Sequence, residues 1–181
     1  MKKVLSEKPD DLEAQVLAIR SLRLSNYLDE ALSRSESLEE KYPNNADIKE
    51  EIGRTYLVKN YVDTAEEKLE SSYYKFPNNQ RLGRALVLTY RALNENEKAL
   101  SLINKLLILN PIDPRNIQSK MNILNKLGKF DESIEICKKF RNEHPNEFNY
   151  SMWTGNGIYV PLSKNLILTL IKNARVILQK E

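Results

Sequence analysis

Cysteine, histidine and tryptophan occur once each in this 181-residue chain, and glycine only five times. With Cys137 alone, no intramolecular disulfide can form, and the redox compartment stays open. Its helical phase predicts a small buried side chain facing a partner helix. The single histidine, His144, stands directly before Pro145 with no Cys or His at metal-ligand spacing, so it is expected in a loop and no metal site is expected. A Gly-rich phosphate loop, a nucleophile elbow and a second histidine to orient a base are all missing. The expectation is a chain that is not an enzyme and binds no cofactor. Paired acids such as Glu39-Glu40 and Glu50-Glu51 read as solvated faces of amphipathic helices. The opening residues reach Lys8-Pro9 before the apolar core of a signal peptide could form, which favours a cytoplasmic protein.

Against these scarcities stands a strict period. Pro9, Pro43, Pro77, Pro111 and Pro145 are spaced by 34 residues, and Lys41-Tyr42-Pro43-Asn44-Asn45 returns as Lys75-Phe76-Pro77-Asn78-Asn79. Proline removes a backbone donor and drives its predecessor out of the α region, so each copy marks a turn between helical units. Four units follow, 12–45, 46–79, 80–113 and 114–147, each long enough for two helices. Apolar residues recur at positions 7, 8 and 11 of the unit, and position 20 holds Ala31, Ala65, Ala99 and Ser133, small enough for two helices to pack closely. With 29% charged residues and strong helix formers throughout, the composition is that of an all-α protein.

This pattern resembles the tetratricopeptide-repeat family in its period, in the small residue at position 20, in the proline at position 32 and in the Gly53 and Tyr56 pair at positions 8 and 11. It departs from the family in lacking a Trp at position 4 and in placing Lys120 at an apolar site. A pentatricopeptide array would run at a slightly longer period. The resemblance implies an all-α, right-handed solenoid of antiparallel helix pairs whose first helices line a concave groove. Pro9 falls in the same phase as the later prolines, so residues 1–11 read as the end of a preceding repeat or as an N-terminal cap. The whole chain, 1–181, is then one repeat domain, either a piece of a longer protein or a natural start.

Charge is placed unevenly along this frame. Seven of the ten arginines occupy positions 2, 5, 9 and 12 of the first helices, on the side of the helical wheel away from the apolar positions. They are Arg20, Arg23, Arg54, Arg81, Arg84, Arg91 and Arg115. The first helices total +6 and the second helices −5, a polarity that the net charge of +3 conceals. Guanidinium groups suit bidentate capture of carboxylate or phosphate. The candidate peptide-binding groove is therefore Arg54, Arg81, Arg84, Arg91 and Arg115, extended by Asn122 and Asn125, and the expected partner is another protein presenting an acidic segment. No unit carries the lysine and asparagine pair through which some relatives clamp a terminal carboxylate. Two other readings stand beside this one. Single-stranded nucleic acid could follow the same groove, although Tyr56 and Tyr90 sit at core positions rather than as stacking platforms. The chain could also be the assembly or regulatory arm of a larger enzyme.

Beyond Pro145 the repeat text decays. Residues 148–181 read as a degenerate repeat interrupted by Gly155-Asn156-Gly157 and Pro161, then a capping helix from Ser163 to Lys180. Leu168, Val176 and Ile177 lie off that helix's main apolar stripe and form a candidate docking or self-association surface. Lys164, Lys172 and Arg175 interrupt the stretch, so it is not expected to span a membrane.

Overall fold

A computed structural model describes residues 11–143. The expectations for residues 1–10 and for 144–181, including Leu168, Val176 and Ile177, fall outside the described residues. The described residues are helical and contain no strand. The first helices of the four units are α1 (Leu12–Leu24), α3 (Ala46–Val58), α5 (Gln80–Ala92) and α7 (Pro114–Lys126). The second helices are α2 (Leu28–Lys41), α4 (Val62–Lys75), α6 (Asn96–Leu109) and α8 (Phe130–Glu143). Each helix begins 34 residues after its counterpart in the preceding unit, so the proline period is the structural period.

Two recurring backbone devices set those boundaries. Asp11, Asn45, Asn79 and Asp113 hold the last position of the 34-residue unit and cap the following first helix; Asn45 Oδ1, for example, accepts from the N–H groups of Asp47 and Ile48 at 3.0 Å. At the other end of the first helices, Asn26, Asn60, Asn94 and Gly128 all adopt positive φ, from 62° to 74°. The chain turns there by paired backbone bonds; Asn94 N–H donates to the Arg91 carbonyl at 3.2 Å and Glu95 N–H to the Tyr90 carbonyl at 2.8 Å. Left-handed backbone costs a branched residue about 1–2 kcal/mol. Asn94→Val is therefore expected to lose that much stability in denaturant unfolding, while Asn94→Gly should stay within about 0.5 kcal/mol of the parent.

The chain forms two compact units, Met1–Ile123 and Leu124–Glu181. Within the first, α1 packs on α2, α3 on α4 and α5 on α6; α2 also packs on α3 and α4 on α5, and the first helices touch side by side, α1 on α3 and α3 on α5. Ile19, Ile48, Leu69, Leu82, Ile103 and Leu106 are fully buried between them, and so are the small residues Ala31, Ala65 and Ala99. Close approach is extreme at Gly53, where the second helix presses onto backbone with no side chain between. The tyrosines of positions 11 tie successive units together: Tyr56 Oη donates to Glu36 at 3.2 Å, and Tyr90 Oη donates to Glu70 at 2.7 Å. Burial and the bond to Glu70 both push the Tyr90 phenol far above its ordinary value.

Candidate functional site: an arginine face of the first helices

Among the described residues, every arginine of the first helices except Arg91 is paired with an acid. Glu51 is fully buried and receives Arg20 Nε at 2.6 Å and Arg23 Nε at 3.0 Å, both from α1. Glu50, also buried, receives Arg54 Nε at 2.6 Å from its own helix and Arg81 Nε at 2.7 Å from α5. Two adjacent carboxylates on α3 thus gather guanidinium groups from three successive first helices. Their burial corrects the expectation that Glu50-Glu51 is a solvated face. Because α3 is flanked by α1 and α5, a second flank of the helix is covered, one that a wheel drawn for a single helix pair leaves open.

A second, smaller cluster lies further along. Asp113 caps α7 and accepts Arg84 Nη1 at 3.1 Å, Arg115 Nε at 3.3 Å and Arg115 Nη2 at 3.3 Å. Arg84 is mostly buried, whereas Arg115 is 70% exposed. Arg91, two turns beyond Arg84 on α5, is half-buried, and among the described residues no carboxylate pairs with it. Burial lowers the proton affinity of Arg84, assisted by repulsion from Arg115, and burial does the same at Arg91. Arg84 and Arg115 therefore share the Asp113 carboxylate, and Arg91 adds a further cation along α5.

The two acids respond to pH in opposite senses. Burial raises the Glu50 carboxyl above its ordinary 4.5, outweighing the nearby Arg54. The folded chain then holds a proton that the unfolded chain has released in the window opening above 4.5, so ionising Glu50 opposes folding as pH rises through it. For Asp113, burial pushes upward but the bonds and field of Arg115, with Arg84 behind them, hold the carboxyl below 3.8. Its contribution is fully present above 3.8 and is lost as pH falls through the lowered value.

Of the residues singled out from sequence, Arg54 and Arg81 belong to the Glu50–Glu51 cluster, and Arg84, Arg91 and Arg115 to the open end. Asn122 is half-buried on α7 in the first unit. Asn125 lies in the second unit, with Oδ1 buried and without a hydrogen-bond partner. The spacing of four between Glu50 and Arg54 is legible as a pair, but sequence reasoning missed Glu51 and Asp113 as partners, the reach of Arg81 to Glu50, and Leu88 as an exposed apolar residue between Arg84 and Arg91. The available signal for Asp113 was its cap position, shared with Asp11, Asn45 and Asn79. Among the described residues no group of His, Cys, Asp or Glu is placed to hold a metal ion, and no helix is long and apolar enough to cross a membrane.

No family model and no curated protein matches this chain. Solved structures do. TTC0263, a thermophilic TPR protein of Thermus thermophilus, is 20% identical, with a TM-score of 0.72 over 81% of this chain and 80% of that one. A tetratricopeptide repeat protein from Parabacteroides merdae is 20% identical with a TM-score of 0.67, covering 97% of this chain and 66% of that one. MamA of AMB-1 is 26% identical with a TM-score of 0.60, over 75% and 78% of the two chains.

Proposed function

We propose, since this chain has the fold of tetratricopeptide-repeat proteins, that it is a non-enzymatic protein-interaction scaffold which holds an acidic segment of another protein against α5 and α7. The observation that carries this reading is the charge surplus on α5 and α7, where Arg84 and Arg115 share the carboxylate of Asp113 and, among the described residues, Arg91 has no carboxylate partner. Arg20, Arg23, Arg54 and Arg81 are instead matched by Asp47, Glu50 and Glu51, so they contribute alignment more than attraction. A ligand carboxylate at the open end meets guanidinium groups already partly stripped of water, where charge-assisted bonds are strongest. Asn122 supplies an amide on the neighbouring helix for the ligand's backbone.

Single-stranded nucleic acid fits less well. It needs aromatic faces beside the cations, and Tyr56 and Tyr90 are engaged with Glu36 and Glu70 instead.

The test uses a fluorescein-labelled Glu-rich peptide and fluorescence anisotropy. Arg91→Glu combined with Arg115→Glu is expected to weaken binding at least about tenfold, a loss equivalent to about 1.4 kcal/mol. Arg34→Glu on α2, whose native arginine pairs with exposed Glu30, should leave affinity unchanged. Unaltered binding by the double variant, with helicity intact by circular dichroism, would overturn the reading.

A further inference from the structure

Most of the exposed large apolar side chains among the described residues stand at the ends of the helices, on two opposite edges of the stacked hairpins. One edge holds the turns inside the units. Leu24, 73% exposed, and Val58 close α1 and α3 there, and the exposed Tyr27 and Tyr61 precede α2 and α4. Because α1 and α3 lie side by side, the two turns are neighbours: Lys59 of the second bonds Asp29, and its Nζ lies 5.8 Å from the centre of the Tyr61 ring. The other edge holds the turns between units. Tyr74, Ile108 and Leu109 end α4 and α6, and Ile112 follows before α7; Tyr74 is 89% exposed and Ile108 79%.

The hairpin itself requires neither cluster. Unit three carries Ala92 and Glu95 where the first edge has Val58 and Tyr61, and unit one carries Glu40, Lys41 and Asn44 where the second has Ile108, Leu109 and Ile112. Polar residues serve equally well in the same turns, so the apolar ones are free to serve a contact outside the chain. Tyr61 and Tyr74 stand at the two ends of α4, about 20 Å apart, so the clusters of one chain cannot cover each other. Charge distinguishes the two edges. Residues 24–30 and 58–63 hold three acids, Asp29, Glu30 and Asp63, and one base, Lys59, whereas 74–78 and 105–112 hold Lys75 and Lys105 and no acid.

We propose that the two edges bind each other between copies of this chain, the Leu24 and Tyr61 edge of one copy on the Ile108 edge of the next. Apolar side chains then meet apolar ones, and the acids around the tyrosines face the lysines around Ile108. A symmetric contact, with either edge on its own copy, would oppose like charges. The contact is therefore heterologous, and a pair keeps one unused edge at each end, so assembly does not stop at a dimer. It uses none of the arginines of the first helices and stands apart from the acidic-segment reading. With four apolar side chains a side the interface is small, so assembly is reversible and grows with concentration.

The experiment is sedimentation velocity on the full chain over a range of concentrations. The parent is expected to show a mean mass that rises past that of a dimer. Leu24→Ser with Tyr27→Ser disables one edge and Ile108→Ser with Ile112→Ser the other; all four side chains are exposed, and circular dichroism checks that both variants keep the parent's helicity. Each variant alone is expected to stay monomeric where the parent associates. An equal mixture of the two is expected to form a dimer and nothing larger, because it brings together one intact edge of each kind. A parent that stays monomeric at every concentration overturns the proposal. So does association that survives in both variants, which would place the contact elsewhere, or a mixture that stays monomeric. Loss in one variant only would mean that a single edge meets its own copy, and the head-to-tail assignment would be wrong.

Discussion

Replacing Glu51 with alanine is expected to cost about 3 kcal/mol and, in a chain of this size, to lower the melting midpoint by about 6–12 °C. Glu51 is fully buried and is the common acceptor of Arg20 and Arg23, with Arg81 Nη2 at 3.6 Å. Its removal leaves Arg20 with only Glu50 Oε2, 3.8 Å from its Nη2, and Arg23 without its carboxylate. Those two side chains are 25% and 11% exposed, so water reaches them in part, and the expected loss sits at the lower end of what breaking a buried pair costs. Glu40→Ala supplies the comparison, because Glu40 is exposed on α2 and its loss should stay within about 0.5 kcal/mol. Thermal unfolding followed by circular dichroism separates the two. Equal midpoints for both variants would mean that Glu51 does not hold the first helices together.

The same comparison shows where sequence reasoning reaches its limit. Glu40 and Glu51 both belong to acidic pairs on amphipathic helices, and nothing local distinguishes them. Helix existence, pairing and phase were legible because proline and the small residue at position 20 act through the backbone and through sterics within a unit. The caps at Asn45, Asn79 and Asp113 and the left-handed turns at Asn26, Asn60, Asn94 and Gly128 were equally periodic and could have been read. Glu51 differs because its burial comes from side-by-side contact of α1 and α3, and its partners lie 28 and 31 residues away. The Arg84–Asp113 pair spans 29 residues in the same way. Of the arginines of units three and four, whose first helices contain no acid, Arg81 finds Glu50 on α3, and Arg84 and Arg115 share the cap residue Asp113. Among the described residues, Arg91 alone of the arginines of the face has no carboxylate partner.

For the contact between α3 and α4 the expected result is a reversal of sign. A Cβ at Gly53 would overlap Leu69 Cγ and stand 2.5 Å from Cδ2, and Leu69 is fully buried with no room to swing aside. Helix propensity favours alanine over glycine by about 1 kcal/mol, but an overlap this deep forces the helices apart, at a cost of about 1–3 kcal/mol or more. Gly53→Ala is therefore expected to lose about 2 kcal/mol net. Leu69→Ala alone should lose about 3–4 kcal/mol, since it opens a cavity against the glycine. Made in the Leu69→Ala background, Gly53→Ala puts its methyl into that cavity and regains the helix propensity, so it should stabilise by about 1 kcal/mol. The coupling of about 3 kcal/mol lies at the upper end for residues in direct contact and is measurable by denaturant unfolding of the four chains. Additive losses would show that the helices tolerate a methyl between them, and the small residue at this position would then need another cause. The predicted reversal follows only if the closeness of α3 and α4 is set by the missing side chain, which ties a single glycine of the repeat to the spacing of the hairpin and, through α3, to the seat of Glu50 and Glu51.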